Sequence, residues 1–193
     1  MKVLGSLKRG LVFVVSAPAG TGKTTLVQMI CKQFDCVVEN VSFTTRTPRP
    51  KEVPGKDYHF ITVAEFEKKV REGEFLEYAK VFNHYYGTSR TVVEKAQARG
   101  KHVILVIDTQ GALQLMDTFK AAFIFISPPT MEELRKRLMS RGSETPEAIE
   151  GRLSWAAKEM SLVPRYNYHI VNEDLQVAYE VLKSILIAEE HKT

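Results

Sequence analysis

The chain has 193 residues, 44% of them hydrophobic, and a formal net charge of +4, enough for one domain or one core with insertions. Its longest apolar runs, such as Val103 to Ile107, fall far short of the roughly 20 residues that a membrane span needs. Met1 to Gly5 offers no apolar stretch for a signal peptide, so a cytoplasmic protein without a membrane partner is expected. Cys31 and Cys36 have no histidine nearby and read as reduced structural thiols. A sequence pI near 9.0 raises nucleic acid as a partner. The arginines that could serve a ligand, however, fall in two short segments, Arg46 to Arg49 and Arg135 to Arg152, with no long basic stripe. Guanidinium groups placed this way suit capture of a few phosphates better than tracking along a polymer. Small phosphorylated ligands are therefore expected, and no nucleic acid.

In chain order, the apolar run Leu11 to Val15 predicts a buried strand, and Thr25 to Ile30 a helix. Between them stands Ala17-Pro18-Ala19-Gly20-Thr21-Gly22-Lys23-Thr24, the phosphate-binding loop of a strand–loop–helix unit. Gly20 and Gly22 let backbone N–H groups turn toward one anion, and the positive end of the helix faces it. Lys23 brings a full charge to the β- and γ-phosphates, and the Thr24 hydroxyl can join the shell of a Mg²⁺ ion. Ala17 stands where the strict pattern has glycine, a small weakening because alanine tolerates most negative-φ conformations. The competing reading, a glycine-rich turn with an accidental Lys-Thr, is weaker in this context.

Cys36 to Val38, His102 to Ile107, Ala121 to Ile126 and Tyr168 to Val171 predict further strands, separated by helical segments. Continuous apolar strands alternating with helices require a parallel sheet covered on both faces. Thr62/Glu65 and Thr130/Glu133 have capping-box spacing. Thr145-Pro146 opens a helix, Gly73 and Gly100 close two, and the last helix is expected from Leu175 to Glu190. Residues 40–90 differ in texture, polar and rich in Pro, Thr and aromatics. Alternation around 57–61 predicts a small antiparallel sheet there, within an inserted substrate-binding subdomain. Residues 141–153 form a charged, exposed turn opening a helix, a candidate lid.

Several further motifs occur in the order and spacing of guanylate kinases, from about residue 10 to 190. They are Ser42 to Arg49, Gly55 to Tyr58, Glu74 to Glu77, Tyr85 to Thr88, Ile107 to Gly111 and Arg141 to Thr145. The chain resembles that family. The resemblance implies an α/β fold with a P-loop NTPase-type parallel sheet flanked by helices. To this it adds an inserted mixed α/β GMP-binding subdomain (40–90) and a small helical lid (about 137–153) within a core of 1–39 and 91–193. It also implies transfer of the ATP γ-phosphate to GMP, and to dGMP because nothing reads the 2′-OH, with Mg²⁺ as cofactor, in purine nucleotide metabolism and GMP recycling. The state is expected to be a monomer or small homo-oligomer.

The residue roles follow from the same resemblance. Ala17 to Thr25 and Asn172, on the adenine side, bind ATP. Arg46, Arg49, Tyr58 and Tyr86 hold the GMP phosphate, although these residues alone also fit a solvated basic turn with core tyrosines. Glu77, helped by Ser42, Thr88 and Asp108, reads guanine, since one carboxylate can accept both N1–H and N2–H and adenine lacks that donor pair. By itself Glu77 equally reads as a surface residue of a half-exposed strand. Asp108, at the carboxyl edge of a central strand, is either this guanine contact or an acid behind the metal's water shell. An acidic residue is usual two positions earlier, where this chain has Val106. Lys23, Arg137, Arg141 and Arg152 are the catalytic cations; the bland alternative pairs the arginines with Glu132, Glu133 and Glu144. No general base is demanded, because the GMP phosphate is already an anionic nucleophile. Guanylate-kinase-like domains that bind peptides typically lack a complete P-loop, and this chain keeps Lys23 and Thr24.

Overall fold

Val12 and Val14 point to one side of strand β1 (Val12–Ser16) and Phe13 and Val15 to the other, and all four are buried. Both faces must therefore be covered, and the run is apolar throughout for that reason. In the computed structural model, which describes residues 3–81, 83–140 and 145–193, β1 is the middle of a five-stranded parallel sheet. Its partners are β2 (Val37–Glu39), β7 (His102–Val106), β8 (Ala122–Ser127) and β9 (Tyr168–Val171), in the order β2-β7-β1-β8-β9. Helices α1 (Lys23–Gln33) and α7 (Leu175–Glu190) pack Leu26, Ile30, Leu182 and Leu186 on the Phe13 face. Helices α3 (Arg90–Ala98) and α4 (Thr109–Met116) pack Val93, Ala112 and Leu115 on the Val14 face. Each fully buried Leu or Ile contributes about 1.5–3 kcal/mol relative to exposure. This parallel sheet with helices on both faces was expected, and α7 has the expected bounds.

A second sheet holds the polar insertion. Its order is β4-β3-β6-β5, from β3 (Phe43–Thr44), β4 (His59–Phe60), β5 (Phe75–Val81) and β6 (His84–Ser89), with α2 (Val63–Arg71) beside it. The expectation of an antiparallel sheet is corrected here. The β5–β6 hairpin and the β3–β6 pair are antiparallel, but β4 runs parallel to β3. The long loop of residues 45–58 returns the chain to the same end before β4 begins. Thr62 and Glu65 close the full capping box on α2. Thr130 closes only half of one on α5 (Met131–Met139): it accepts from the Glu133 N–H, but the Glu133 carboxylate turns to Arg137 Nε at 3.0 Å. Helix α6 (Pro146–Met160) begins on Thr145-Pro146 as expected and lies against α5 through Leu134, Leu138, Ile149 and Leu153.

The amino-terminal ends of the strands are closed by one carboxylate. Glu190, the last residue of α7, accepts hydrogen bonds from Gly5 N (2.7 Å), Ser6 N (2.8 Å), the Ser6 hydroxyl and His102 Nε2 (2.6 Å). The Leu11 N–H donates to His102 Nδ1 at 3.1 Å, which places the imidazole proton on Nε2, facing Glu190. Burial alone would raise the Glu190 pKa, but the Ser6, Gly5 and His102 donors outweigh it and hold the group at about 2.

Candidate functional site

The carboxyl ends of the same strands open into a cleft of about 390 Å³ between the two sheets, a size that small-molecule sites use. Its first wall is the loop from β1 to α1. Gly20 and Gly22 adopt φ of 95° and 88°, and Gly22 is the helix N-cap. Among the described α-helices, six begin with a side chain (Thr62, Ser89, Asp108, Thr130, Thr145 or Asp174) that accepts from a first-turn N–H. Helix α1 has no such cap, so its N–H groups and the positive end of its dipole face the cleft uncovered. Asn172 braces the loop from behind: its Nδ2 donates to Thr21 O at 2.6 Å, and a Cβ on residue 22 would meet that nitrogen at 2.6 Å. Arg137 Nη1 donates in turn to Asn172 O at 3.0 Å. Burial lowers the pKa of Lys23, opposed by the charges of Glu159, Asp108 and Glu39.

The second wall is the loop after β3. Arg46 donates from Nη2 to Glu52 at 2.8 Å and from Nη1 to Thr47 O at 2.8 Å. Its guanidinium lies 5.4 Å from the Tyr58 ring centroid and 5.8 Å from that of Phe60. Glu52 also accepts from the Arg49 N–H at 2.7 Å, so one carboxylate sets both arginines. The Glu52 hydrogen bond raises the Arg46 pKa and keeps the cation charged. Tyr58 and Tyr86 meet edge to face at 5.8 Å and complete this wall. Arg46 Nε is buried with no partner among the described residues.

The floor comes from β5, whose inward positions are Phe75, Glu77 and Ala79. A carboxylate thus occupies a core-facing position, 4% exposed. It accepts from the Thr88 hydroxyl at 2.5 Å, while its other oxygen lies so close to Gly111 that a Cβ there would approach it to 2.3 Å. Burial pushes the Glu77 pKa up to about 7, against the Thr88 hydrogen bond and with help from Asp108. Asp108 lies two residues beyond the end of β7, at the carboxyl edge where it was expected, and is the N-cap of α4, accepting from Gly111 N at 2.9 Å and Gln110 Nε2 at 3.1 Å. Gln114 exchanges two hydrogen bonds with the Tyr78 backbone, which ties β5 to α4 and so sets Glu77 beside Asp108.

The roof is α6. Arg152, Trp155 and Glu159, three and four residues apart, line the cleft. Of the expected site residues, the structure brings together Ala17 to Thr25, Ser42, Arg46, Arg49, Tyr58, Glu77, Tyr86, Asp108 and Arg152. Thr88 stands behind Glu77. Two expectations change place. Arg137 is held by Glu133 and the Asn172 carbonyl, Asn172, 3% exposed, is bonded to the P-loop backbone, and neither lines the cleft. Arg141 lies outside the described residues. Sequence reasoning missed Glu52 and Glu159. Signals existed: Glu52 follows Arg49 by three residues, and Glu159 repeats the helical spacing of Arg152 and Trp155.

An uncapped helix after a glycine loop at the carboxyl edge of a parallel sheet defines a P-loop NTPase-type fold. The guanylate kinase family model matches residues 9–189. The guanylate kinase of Protochlamydia amoebophila is 55% identical over 188 residues, covering 97% of this chain and 95% of that one. That of Chlamydia felis is 49% identical over 181 residues, covering 93% and 89%. The crystal structure of guanylate kinase from Anaplasma phagocytophilum superposes with a TM-score of 0.79 at 38% identity, covering 96% of this chain and 88% of that one. The chain belongs to the guanylate kinase family and is a nucleoside monophosphate kinase, an ATP:GMP phosphotransferase.

Proposed function

We propose that the cleft is where ATP and GMP meet, with the triphosphate on the P-loop and the GMP phosphate on Arg46, Arg49, Tyr58 and Tyr86. The observation that carries this reading is a single cleft with two phosphate grips at its walls and a buried, half-satisfied carboxylate at its floor. Glu77 keeps acceptor capacity free on a group with one hydrogen-bond donor among the described residues, which suits the N1–H and N2–H of guanine. Ser42, Thr88 and Asp108 support it. Asn172 and Arg137 act on ATP through the P-loop they brace. Residues 1–39 and 91–193 form the ATP-binding core, 40–90 the GMP-binding subdomain, and about 137–153 the lid.

Mg²⁺ fits the donors present. Thr24 offers a hydroxyl, and Asp108 faces the same space. Among the described residues there is no ready-made group of three metal-binding side chains. Such sparse protein ligation is what Mg²⁺ uses when nucleotide phosphates and water supply the rest. When bound, the ion neutralises charge across the β- and γ-phosphates. The chain's own part is to align the donor phosphate with the GMP oxygen, spread charge onto Lys23, Arg152 and Arg141, and exclude water under α6. Base and phosphate, which these residues would hold, are common to GMP and dGMP, so dGMP is taken to be a substrate as well. Among the described residues no helix is long and apolar enough to cross a membrane; a cytoplasmic monomer or small homo-oligomer working in GMP recycling is the matching biological setting.

A coupled assay of GMP, dGMP, AMP, CMP and UMP with MgATP tests the reading. GMP and dGMP should be turned over, with AMP slower by orders of magnitude. Comparable turnover of AMP overturns guanine readout, and unchanged rates after Mg²⁺ removal overturn the metal.

A further inference from the structure

Glu159 is unlike the other groups of the cleft. It sits near the end of α6, 6% exposed, and its carboxylate has neither a hydrogen bond nor an ion pair among the described residues. The groups whose charge reaches it are Lys23 and Asp108, and it acts in turn on the buried Tyr166 hydroxyl. A buried carboxylate left this way is costly to desolvate. Lys23 does not serve as its permanent partner, because the two stop short of an ion pair and Lys23 is the cation nearest the uncapped end of α1.

The nucleotide alone makes matters worse. A triphosphate entering beside Glu159 and Asp108 meets two negative groups in a partly dry cleft, where repulsion is stronger than in water. A divalent cation travelling with the phosphates reverses that sign. Strand β7 supplies few acceptors for it, since Val106 and Ile107 line the cleft with apolar surface before Asp108. The missing carboxylate arrives from the opposite side, on the helix that carries Arg152 and Trp155. We propose that Glu159 is a positioning residue of the phosphoryl transfer, accepting hydrogen bonds from water on the divalent cation that ATP carries, together with Thr24 and Asp108. The inference rests on reading the cleft as the ATP site. It gives α6 a means to sense the metal complex: arginine from one turn of the helix meets phosphate while glutamate two turns on meets the cation's water.

Opposite signs in one experiment test this. Binding of a non-hydrolysable ATP analogue is measured by calorimetry, with Mg²⁺ and again with EDTA, for the wild type and Glu159→Gln. Losing the negative charge should tighten metal-free binding several-fold. The same change should weaken binding of the magnesium complex, since groups that orient a metal's ligands are typically worth about 10- to 100-fold in metal affinity. A role confined to packing moves both affinities the same way. Glu159→Asp, which keeps the charge but shortens the arm, should leave metal-free binding near wild type and lose part of the gain from Mg²⁺; it serves if the glutamine variant does not fold. An unchanged gain from Mg²⁺ in both variants overturns the role of Glu159 and leaves the ATP site standing. A wild type that binds the analogue in neither buffer overturns the site itself.

Discussion

At the amino-terminal edge of the main sheet Glu190 takes four hydrogen bonds, and His102 spends both ring nitrogens. At the carboxyl edge, Glu77 takes one and Glu159 none, while Arg46 Nε, Ser16 Oγ and the Tyr166 hydroxyl lack partners among the described residues. Both regions bury ionisable groups, yet only one satisfies them. The pKa directions follow: the satisfied carboxylate is held at about 2, and the two unsatisfied ones are pushed up to about 7. Burial raises all three, and donors decide the outcome. The contrast accords with the proposed function, in which substrate groups supply the partners that the carboxyl edge lacks.

If the incomplete end is the working end, the largest effect should come from Lys23→Ala. Removing the one full charge at the uncapped helix should lower kcat by about 10²- to 10³-fold or more, with GMP affinity by calorimetry nearly unchanged. A parallel loss of GMP affinity would mean that the two phosphate grips are one.

The complete end should answer in stability alone. Glu190→Ala leaves His102 and three other donors without their acceptor, and breaking such buried arrangements costs about 3–5 kcal/mol. Urea unfolding should show the loss, while kcat/KM per folded molecule stays at wild type. The pH dependence has a definite sign. A carboxylate depressed to about 2 gives stability that is whole above its unfolded value near 4.5 and fades as pH falls toward 2. An acid limb that persists unaltered in the variant would assign acid unfolding elsewhere.

Glu77→Gln should give the reverse pattern at smaller amplitude. Guanine loses a charged acceptor worth about 1.5–3 kcal/mol, so kcat/KM for GMP should fall roughly 10- to 100-fold. The ligand-free protein should be as stable or more stable at pH 8, because a buried charge has been removed. Glu77 is raised to about 7, so its contribution is fully present below 4.5 and lost as pH rises through 7. The stability gap between variant and wild type should therefore close on acidification. The smallest signal should be optical: Trp155 lines the cleft, and its fluorescence should shift when GMP and an ATP analogue bind together, more than with either alone.

Local patterns were legible and long-range ones were not. The P-loop, the Thr62 cap and the bounds of α7 depend on residues within a few positions of each other, and sequence spacing encodes them. The direction of β4 depends on where a loop of residues 45–58 returns, which no short pattern records. Arg137 and Asn172 carried the right chemistry for the cleft, yet they meet each other behind the P-loop, 35 residues apart in sequence. Glu77 was open between surface and site because a lone glutamate in a strand has no face until the strand is packed. The alternation of Phe75, Glu77 and Ala79 becomes informative only once α4 covers that side.

The most direct test of the contrast between the two ends is the proton count of GMP binding at pH 7. Calorimetry in buffers of different ionisation enthalpy measures it. In the proposed reading guanine takes the ionised form of Glu77, and the group is about half protonated there when its pKa lies near 7. Wild type should therefore release more protons than Glu77→Gln, by about half a proton per GMP, the GMP phosphate contributing equally to both. An equal count in the two proteins would contradict the claim that this unsatisfied carboxylate waits for the base.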